Sequence, residues 1–475
     1  MTLPRRHLAS LLAVVLVGGS SACSAGDSPA RTDDRSETTS VPEDPLVDIE
    51  SLLDARARAV LAKDQSALTA TVADPTSDEG ARLTAQHATL AALPFASFRY
   101  AGVQLLPSAA GSPTAGSGGG SAGAAAPALA DTMTVEAQVI HSYTGFDVGD
   151  RQGSERFEVS MTPEGWRLTG HTAVAGEPVL WAAADVTVTS GSGALLIGTL
   201  SADGISRRAA DTERGLALAR AAWPDEVATA STDGSTGADR GVVVLAPSTA
   251  VEYAALTGAP AVTATPAQKP PGSSPPSLSA TPAPPASAPP QVAATTDGPE
   301  APDGRSLADR VVLNPDAFAR LTEQGRAFVV AHECVHVRMR AVTGGHLPTW
   351  LAEGYADWVA YRDSGLADAV IAGPALDAVR EGAVPTGFPT AADFDAATSS
   401  LAPAYARSWL LVVVLADRLG EAGLRSFLAA VAVGAERGNE PAMEAATDRA
   451  LTAVGTTRAE ILASWTARLQ RLAAE

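Results

Sequence analysis

The sequence predicts an α+β protein with more than one domain, and three observations lead to that prediction. The 475 residues exceed the roughly 100–200 that one domain usually holds. Residues 46–175 have the pattern of a long helix followed by alternating, strand-like segments. Residues 176–475 have the pattern of a few short strands followed by almost continuous helix. A hydrophobic fraction of 46% is sufficient for real cores, while 42 glycines and 33 prolines indicate long loops.

The N-terminus predicts export. Basic residues at 5–7 precede an apolar stretch at 8–19 that is too short to span a bilayer as a mature helix. Cys23 follows shortly afterwards, and this order resembles a bacterial lipoprotein signal, in which the cysteine becomes the lipidated first residue. The resemblance implies a signal peptide over residues 1–22 and an extracytoplasmic protein that Cys23 anchors to the cell membrane. Ordinary secretion, with cleavage after Ala22, is the alternative.

A tether and an α+β domain are predicted next. Residues 23–45 are rich in Ser, Thr, Asp, Pro and Gly and are predicted to be a disordered tether. Residues 46–175 predict one helix and four strands, with a disordered Gly/Ala/Ser-rich insertion at 107–130. The helix is predicted at 49–72, and the strands are predicted at 98–106, at 133–143, at 154–162 and around Gly165-Trp166-Arg167-Leu168. This order resembles the cystatin-like, nuclear-transport-factor-2-like fold, which often binds small ligands or docks partners.

Residues 176–475 predict a small β-sheet followed by a mostly helical region. A Pro/Ala/Ser-rich stretch at 258–304 contains four Pro-Pro pairs and is predicted to be a disordered loop, because it cannot bury a core. From residue 318 onward the pattern is almost entirely helical. The elements predicted before that point are strands 194–200, 242–245 and 310–313 and helices 209–223 and 249–256.

The candidate catalytic and metal-binding residues lie in the pentapeptide His332-Glu333-Cys334-Val335-His336, an HExxH motif. On a helix, residues four apart share a face, so both imidazoles can reach one metal ion. Glu333 would sit beside them as the base that deprotonates a metal-activated water. A random HExxH is expected only about 0.005 times in a chain of this composition. Cys334 would point away from the ligand face and is interpreted as a packing residue.

A second motif supplies a candidate third ligand. A catalytic zinc is held by three protein ligands and keeps one position open. The predicted helix 321–342 ends at Gly344-Gly345, and Thr349 is predicted to cap the next helix, which contains Glu353. Two antiparallel helices joined by this short loop would bring Glu353 opposite the histidines. His346 in the loop is the alternative ligand, although the HExxHxxGxxH pattern that it would complete is absent.

An HExxH motif followed by a WLxEGxA helix resembles the gluzincin zinc metallopeptidases, in particular the bacterial group called peptidase MA-like. The resemblance covers roughly residues 190–475 and implies one Zn2+ per chain. The residues it implies are His332, His336 and Glu353 as metal ligands, Asp357 as the carboxylate that orients the first histidine, and Tyr405 as the residue that stabilises the oxyanion. The GAMEN motif of the aminopeptidases is absent, which argues against that activity.

The two resemblances together imply the fold, and the gluzincin resemblance implies the way a substrate docks. The N-terminal cystatin-like α+β domain would be followed by a gluzincin-type metallopeptidase domain, with a small β-sheet that has an edge strand and then mostly helices. The strand at 310–313 or at 242–245 would flank the cleft and pair with an extended substrate, as edge strands do in that superfamily.

The predicted function is that of an exported zinc metallopeptidase that hydrolyses a peptide or protein substrate, with Glu333 as the general base. Two alternatives belong to another class. The chain would be a non-catalytic surface lipoprotein with a structural zinc site, or a ligand-binding or partner-docking protein that acts through residues 46–175. The net charge of −19 disfavours a nucleic-acid partner, because such proteins normally present a basic surface.

Overall fold

Helices and sheets are mixed along the chain, so the predicted α+β class is confirmed. The computed structural model describes residues 44–107, 132–174, 179–182, 186–191, 193–223, 240–258, 294–344, 347–395, 401–436 and 438–475. The predicted signal peptide, Cys23, the tether up to residue 43, nearly all of the 107–130 insertion and His346 lie outside the described residues.

The first part of the chain folds as three helices on an antiparallel sheet. The helices are α1 (Pro45–Ala62), α2 (Gln65–Thr69) and α3 (Asp78–Ala92), and the strands are β1 (Phe95–Leu105), β2 (Thr132–Tyr143), β3 (Arg151–Thr162) and β4 (Gly165–Ala173). The strands pair in the order β1-β2-β3-β4. Residues of α1 and α3, such as Leu53 and Leu90, pack on the sheet residues Val139 and Phe157 in one apolar core. All four predicted strands are confirmed within a few residues.

The helix predicted at 49–72 is interrupted, and a further helix follows it. Lys63 adopts a left-handed conformation with φ of 54°, which ends α1, and the Asp64 side chain accepts a hydrogen bond from the Ala67 amide and starts α2. Helix α3 was not predicted. Its buried face includes His87 beside Leu83 and Leu90, so the apolar periodicity that would reveal it is incomplete.

A five-stranded sheet stands between the two halves of the described chain. Its elements, with the two helices among them, are β5 (Thr187–Gly191), β6 (Ala194–Gly198), α4 (Ala202–Ala222), β7 (Val242–Ala246), α5 (Ala250–Thr257), β8 (Ala294–Asp297) and β9 (Arg310–Leu313). The spatial order is β5-β6-β7-β9-β8. The three central strands are parallel to one another, and the two outer strands run antiparallel to their neighbours.

Among the described residues the two edges of the sheet are β5 and β8, and the position of β8 corrects two predictions. The strands predicted to flank the cleft, 242–245 and 310–313, are the internal strands β7 and β9, each paired on both sides. The predicted disordered loop 258–304 contains β8, which pairs with β9 from Ala294 to Asp297, while residues 259–293 lie outside the described residues. A four-residue strand is too short to reveal itself by alternation, and its pairing partner lies later in the chain.

The three central strands of this sheet are buried on both faces. Leu196, Val244 and Val311 point into the core shared with the C-terminal helices. Their neighbours Leu195 and Val243 point into the core of the first sheet and α1–α3, together with Val312. Residues 44–475 are accordingly one compact unit, with the C-terminal helices on one face of this sheet and α1–α3 with the first sheet on the other.

The remaining described chain is helical, as predicted. The helices are α6 (Pro315–Ala319), α7 (Glu323–Thr343), α8 (Thr349–Tyr361), α9 (Asp368–Ile371), α10 (Gly373–Arg380), α11 (Leu401–Gly434), α12 (Glu440–Ala453) and α13 (Arg458–Ala474). Helix α11 changes direction at Gly420, whose φ is 68°. Helix α7 ends at Gly344 in the left-handed conformation, as predicted. The predicted Thr349 cap is wrong, because Pro348 takes that position and no side chain caps α8. None of the described helices combines the length and apolarity needed to cross a membrane.

Candidate metal centre

Helix α7 carries the two histidines of the HExxH motif. The Thr322 side chain caps its first turn by accepting a hydrogen bond from the Gly325 amide, and the helix continues unbroken past both histidines. His332 and His336 therefore lie on one helix face, with their Nε2 atoms 3.0 Å apart. Each imidazole is 13% exposed, so the two Nε2 atoms are accessible to a small ion but are mostly shielded from water.

Helix α8 returns alongside α7 and brings two carboxylates to the histidines. Glu353 Oε2 lies 3.1 Å from His332 Nε2 and 3.4 Å from His336 Nε2. One turn further along α8, Asp357 Oδ1 lies 2.8 Å from His332 Nδ1. The later residue of α8 thus contacts the earlier histidine of α7, which is the antiparallel arrangement predicted from the short loop.

Two glycines let the neighbouring helices approach this pair closely. A Cβ at Gly354 of α8 would lie 2.5 Å from the carbonyl oxygen of Ser408 on α11. A Cβ at Gly215 of α4 would lie 2.7 Å from the amide nitrogen of Ala331 on α7. Real Cβ atoms do not approach that closely, so any larger residue would push α8 or α7 outward. The glycine after Glu353 therefore helps to set the distance between Glu353 and the histidines.

The electrostatics of the cluster favour a protonated His332 and an ionised Glu353. Burial would lower the pKa of His332, but hydrogen bonds and charges from Asp357 and Glu353 outweigh it and raise that pKa well above its usual range. Burial would raise the pKa of Glu353, but the two histidines outweigh it and hold that pKa far below its usual value. Glu353 is therefore an anion in the folded protein, as a metal ligand must be.

The three ligand atoms fit a zinc ion. One atom each from His332, His336 and Glu353 lies within 4.8 Å of the others. Bonds of about 2.0–2.1 Å at tetrahedral angles place neighbouring ligand atoms about 3.3 Å apart, and the distances here are 3.0, 3.1 and 3.4 Å. Asp357 accepts the hydrogen bond from His332 Nδ1, so that nitrogen carries a proton. A bound cation would take the place of the proton on His332 Nε2, whose lone pair would then be directed at the metal.

Glu333 lies beside the ligand cluster without belonging to it. The carboxylate is buried, with 7% of the residue exposed, and its Oε2 accepts a hydrogen bond of 2.6 Å from the hydroxyl of Thr296 on β8. The adjacent Cys334 is fully buried in the apolar core, where burial and the charge of Glu333 raise the pKa of its thiol to about 12. Cys334 is therefore a packing residue, as predicted.

Tyr405, in the second turn of α11, reaches the same site. Its ring centroid lies 6.2 Å from that of His332, and its hydroxyl is close enough to Glu353 to feel the charge of that carboxylate. Burial and the charges of Glu353 and Asp357 raise the pKa of its hydroxyl far above the usual value, so it stays protonated at physiological pH. The structure therefore places a neutral hydrogen-bond donor at the cleft.

The cleft has an apolar side and a polar side, and both meet at the HExxH residues. A cavity of about 560 Å³ opens on one side, between α7, α8 and the start of α11. Its walls are mainly apolar and include Phe328, Tyr361, Val370 and Trp409. A second cavity of about 420 Å³ opens on the other side, along β8 and the C-terminal half of α7, with a wall that contains several polar side chains.

All six residues predicted for the site from the motifs, His332, Glu333, His336, Glu353, Asp357 and Tyr405, lie around this cleft. Thr296 and the apolar cavity were not predicted. The only available signal for Thr296 was a pair of threonines at the end of a proline-rich stretch, which is too weak to indicate a strand. No known protein family matches the chain, and no curated protein or solved structure matches it.

Proposed function

We propose that the protein is a zinc metallopeptidase of the gluzincin type, similar to the peptidase MA-like group. The observation that carries the proposal is the convergence of His332 Nε2, His336 Nε2 and Glu353 Oε2 at 3.0–3.4 Å. Asp357 behind the first histidine and Glu333 beside it supply the two further carboxylates that catalysis requires. A purely structural site would have no use for Glu333, which supports the enzyme over the non-catalytic lipoprotein.

Zinc, when bound, supplies a Lewis acid that polarises the scissile carbonyl and lowers the pKa of water towards about 7. Glu333 accepts a proton from the attacking water and transfers it to the leaving amine. Tyr405 keeps its own proton and donates a hydrogen bond to the oxyanion that develops on the carbonyl oxygen. Asp357 holds His332 in the tautomer that leaves Nε2 free for the metal.

An extended peptide substrate would fit the edge of β8 that has no strand partner among the described residues. The opposite edge of this strand is paired with β9, and Ala294 and Thr296 of β8 line the cleft beside Glu333. Main-chain hydrogen bonds to β8 would align the peptide independently of its sequence, as in other cases of strand addition. This assigns to β8 the role that the resemblance implied for strand 242–245 or 310–313.

The apolar cavity supports a preference for a large apolar side chain next to the scissile bond. Its volume of about 560 Å³ is in the range of small-molecule sites, roughly 300–1,000 Å³. His332, Glu333 and Tyr405 lie at one side of it, while Phe328, Trp409 and other apolar residues form the rest. A charged side chain placed there would lose its water without gaining a partner.

The remaining parts of the proposal concern location and the N-terminal half. Export through the predicted signal peptide and a lipid on Cys23 would place the enzyme at the outer face of the membrane. The helices α1–α3 and the first sheet support a nuclear-transport-factor-2-like domain, although its packing on the five-stranded sheet makes it part of the same unit. A role in docking the substrate or a partner follows from that fold resemblance alone.

The test of the proposed function separates catalysis from metal binding. Glu333→Gln keeps all three ligands, so the variant should bind zinc as the wild type does and lose nearly all hydrolysis of a mixed peptide library. His332→Ala should lose both zinc and hydrolysis. Near-wild-type hydrolysis by Glu333→Gln would show that Glu333 is not the base, and zinc-loaded protein without any hydrolysis would favour the non-catalytic alternative.

A further inference from the structure

The base Glu333 is held from the opposite wall of the cleft by Thr296. The Thr296 hydroxyl donates a hydrogen bond of 2.6 Å to Glu333 Oε2, within the 2.5–2.7 Å that is typical of hydroxyl–carboxylate bonds. Among the described residues, Thr296 is the donor found on this carboxylate. The bond connects β8 to α7, the helix that carries His332 and His336.

The geometry gives the two carboxylate oxygens different surroundings. Oε2 is occupied by the threonine hydroxyl, which leaves Oε1 to accept a proton. A carboxylate in a cleft has several accessible side-chain rotamers, and this bond selects one of them. Because Glu333 is 7% exposed, competition from bulk water for Oε2 is weak, and the bond is worth more than it would be at the surface.

The position of Thr296 connects this contact to substrate docking. Thr296 pairs through its backbone with Val311 of β9 on one side, and the other side of β8 is the edge assigned to the peptide. The strand has only four residues, so a peptide paired along its free edge would stabilise it. A substrate that stabilises β8 therefore also stabilises the contact that orients the base.

We propose that Thr296 is a positioning residue for Glu333 and that it couples substrate docking on β8 to alignment of the base. This inference rests on the proposed function. Removing the hydroxyl leaves the metal ligands and the free strand edge in place, so zinc affinity and KM should hold while kcat falls. Loss of a comparable supporting hydrogen bond costs about 10–100-fold in activity, and we expect a fall in kcat of that size.

The first experiment compares Thr296→Val and Thr296→Ser with the wild type in the zinc-loaded full chain. Thr296→Val should lower kcat about 10–100-fold with KM within about twofold, and Thr296→Ser should restore most of kcat because it keeps the hydroxyl. Thr187→Val, on the opposite edge strand β5, is the matched control and should leave kcat unchanged. A wild-type kcat in Thr296→Val, or an equal loss in Thr296→Ser, would overturn the inference.

The second experiment needs no substrate and no metal. Chemical unfolding of the metal-free protein is measured for Thr296→Val, Glu333→Ala and the double variant. A direct bond predicts that the double variant loses less stability than the sum of the two single losses, whereas additive losses would overturn the inference. If Glu333→Gln remains active, the proposed function fails whatever Thr296 does. If Glu333→Gln is inactive while Thr296→Val is fully active, only the role of Thr296 fails.

Discussion

Asp357 gives a graded test of the proposal that α7 and α8 together hold a zinc ion. Its Oδ1 lies 2.8 Å from His332 Nδ1, and its side chain is 16% exposed. Asp357→Ala removes the carboxylate and leaves all three proposed ligands in place. His332 would then be free to rotate and to change tautomer. Zinc binding would have to restore one orientation and one tautomer of the ring, which would lower the affinity for zinc.

The expected magnitude follows from the bond that is lost. A hydrogen bond to a charged group contributes about 1.5–3 kcal/mol, and about 1.4 kcal/mol corresponds to a tenfold change in an equilibrium constant. Asp357→Ala should therefore raise the Kd for zinc about 10–100-fold. Asp357→Asn keeps a neutral acceptor and should fall near the lower end of that range. Glu353→Ala leaves only two histidine ligands and should weaken zinc far more than either.

The assay is competition for zinc against a chromophoric chelator, with thermal unfolding as a check on the fold. Asp363→Ala is the matched control, because Asp363 lies just beyond α8 and its side chain is 69% exposed. It should bind zinc as the wild type does. Zinc affinity within twofold of the wild type in Asp357→Ala would refute this account of Asp357. Loss of zinc in His346→Ala but not in Glu353→Ala would show that the third ligand is misassigned.

Three further predictions concern other parts of the chain. Ala402 is an exposed residue that lines the apolar cavity, so a phenylalanine there would fill part of the cavity. Ala402→Phe should reduce cleavage beside large apolar residues at least several-fold in a peptide-library profile. Ala430→Phe, at an exposed position elsewhere on α11, is the control and should not change the profile. Burial and the neighbouring Arg56 lower the pKa of His87 from 6.5 to about 4. Between these two pH values the unfolded chain binds a proton at His87 and the folded chain does not. The free energy of unfolding, measured by chemical denaturation, should therefore fall as the pH drops from about 6.5 to about 4, and it should fall less in His87→Gln. Cys23→Ser should release the protein from the membrane fraction or block its processing, and unchanged fractionation with no lipid on Cys23 by mass spectrometry would exclude the anchor.

The candidate site was largely predictable because its signals are local. Two histidines four residues apart share a helix face whatever the rest of the fold does. A short Gly-rich loop constrains the next helix to return, which brings Glu353 to the same place. Asp357 follows from the helical repeat one turn later. These steps need only helix geometry, and the distances of 2.8–3.4 Å within the cluster agree with them.

The open edge of the sheet was not predictable because it depends on contacts distant in sequence. Strands β6, β7 and β9 are buried at every position. Because their sequences are apolar throughout, the pattern indicates neither which side chains share a face nor which strand lies at an edge of the sheet. Only the spatial order β5-β6-β7-β9-β8 shows that, within the described chain, β8 rather than β7 or β9 is an edge strand. The contact of Thr296 with Glu333 joins residues 37 positions apart, with β9 and α6 between them in the sequence, and no local pattern encodes it.

The central claim is that His332, His336 and Glu353 hold one catalytic zinc. Elemental analysis of the purified full-length protein tests it most directly, with His336→Ala analysed in parallel. The account predicts about one zinc per chain in the wild type and none in His336→Ala, with thermal unfolding showing that the metal-free variant is still folded. A wild-type protein that binds no zinc even when the metal is supplied, or one whose zinc survives His336→Ala unchanged, would contradict it.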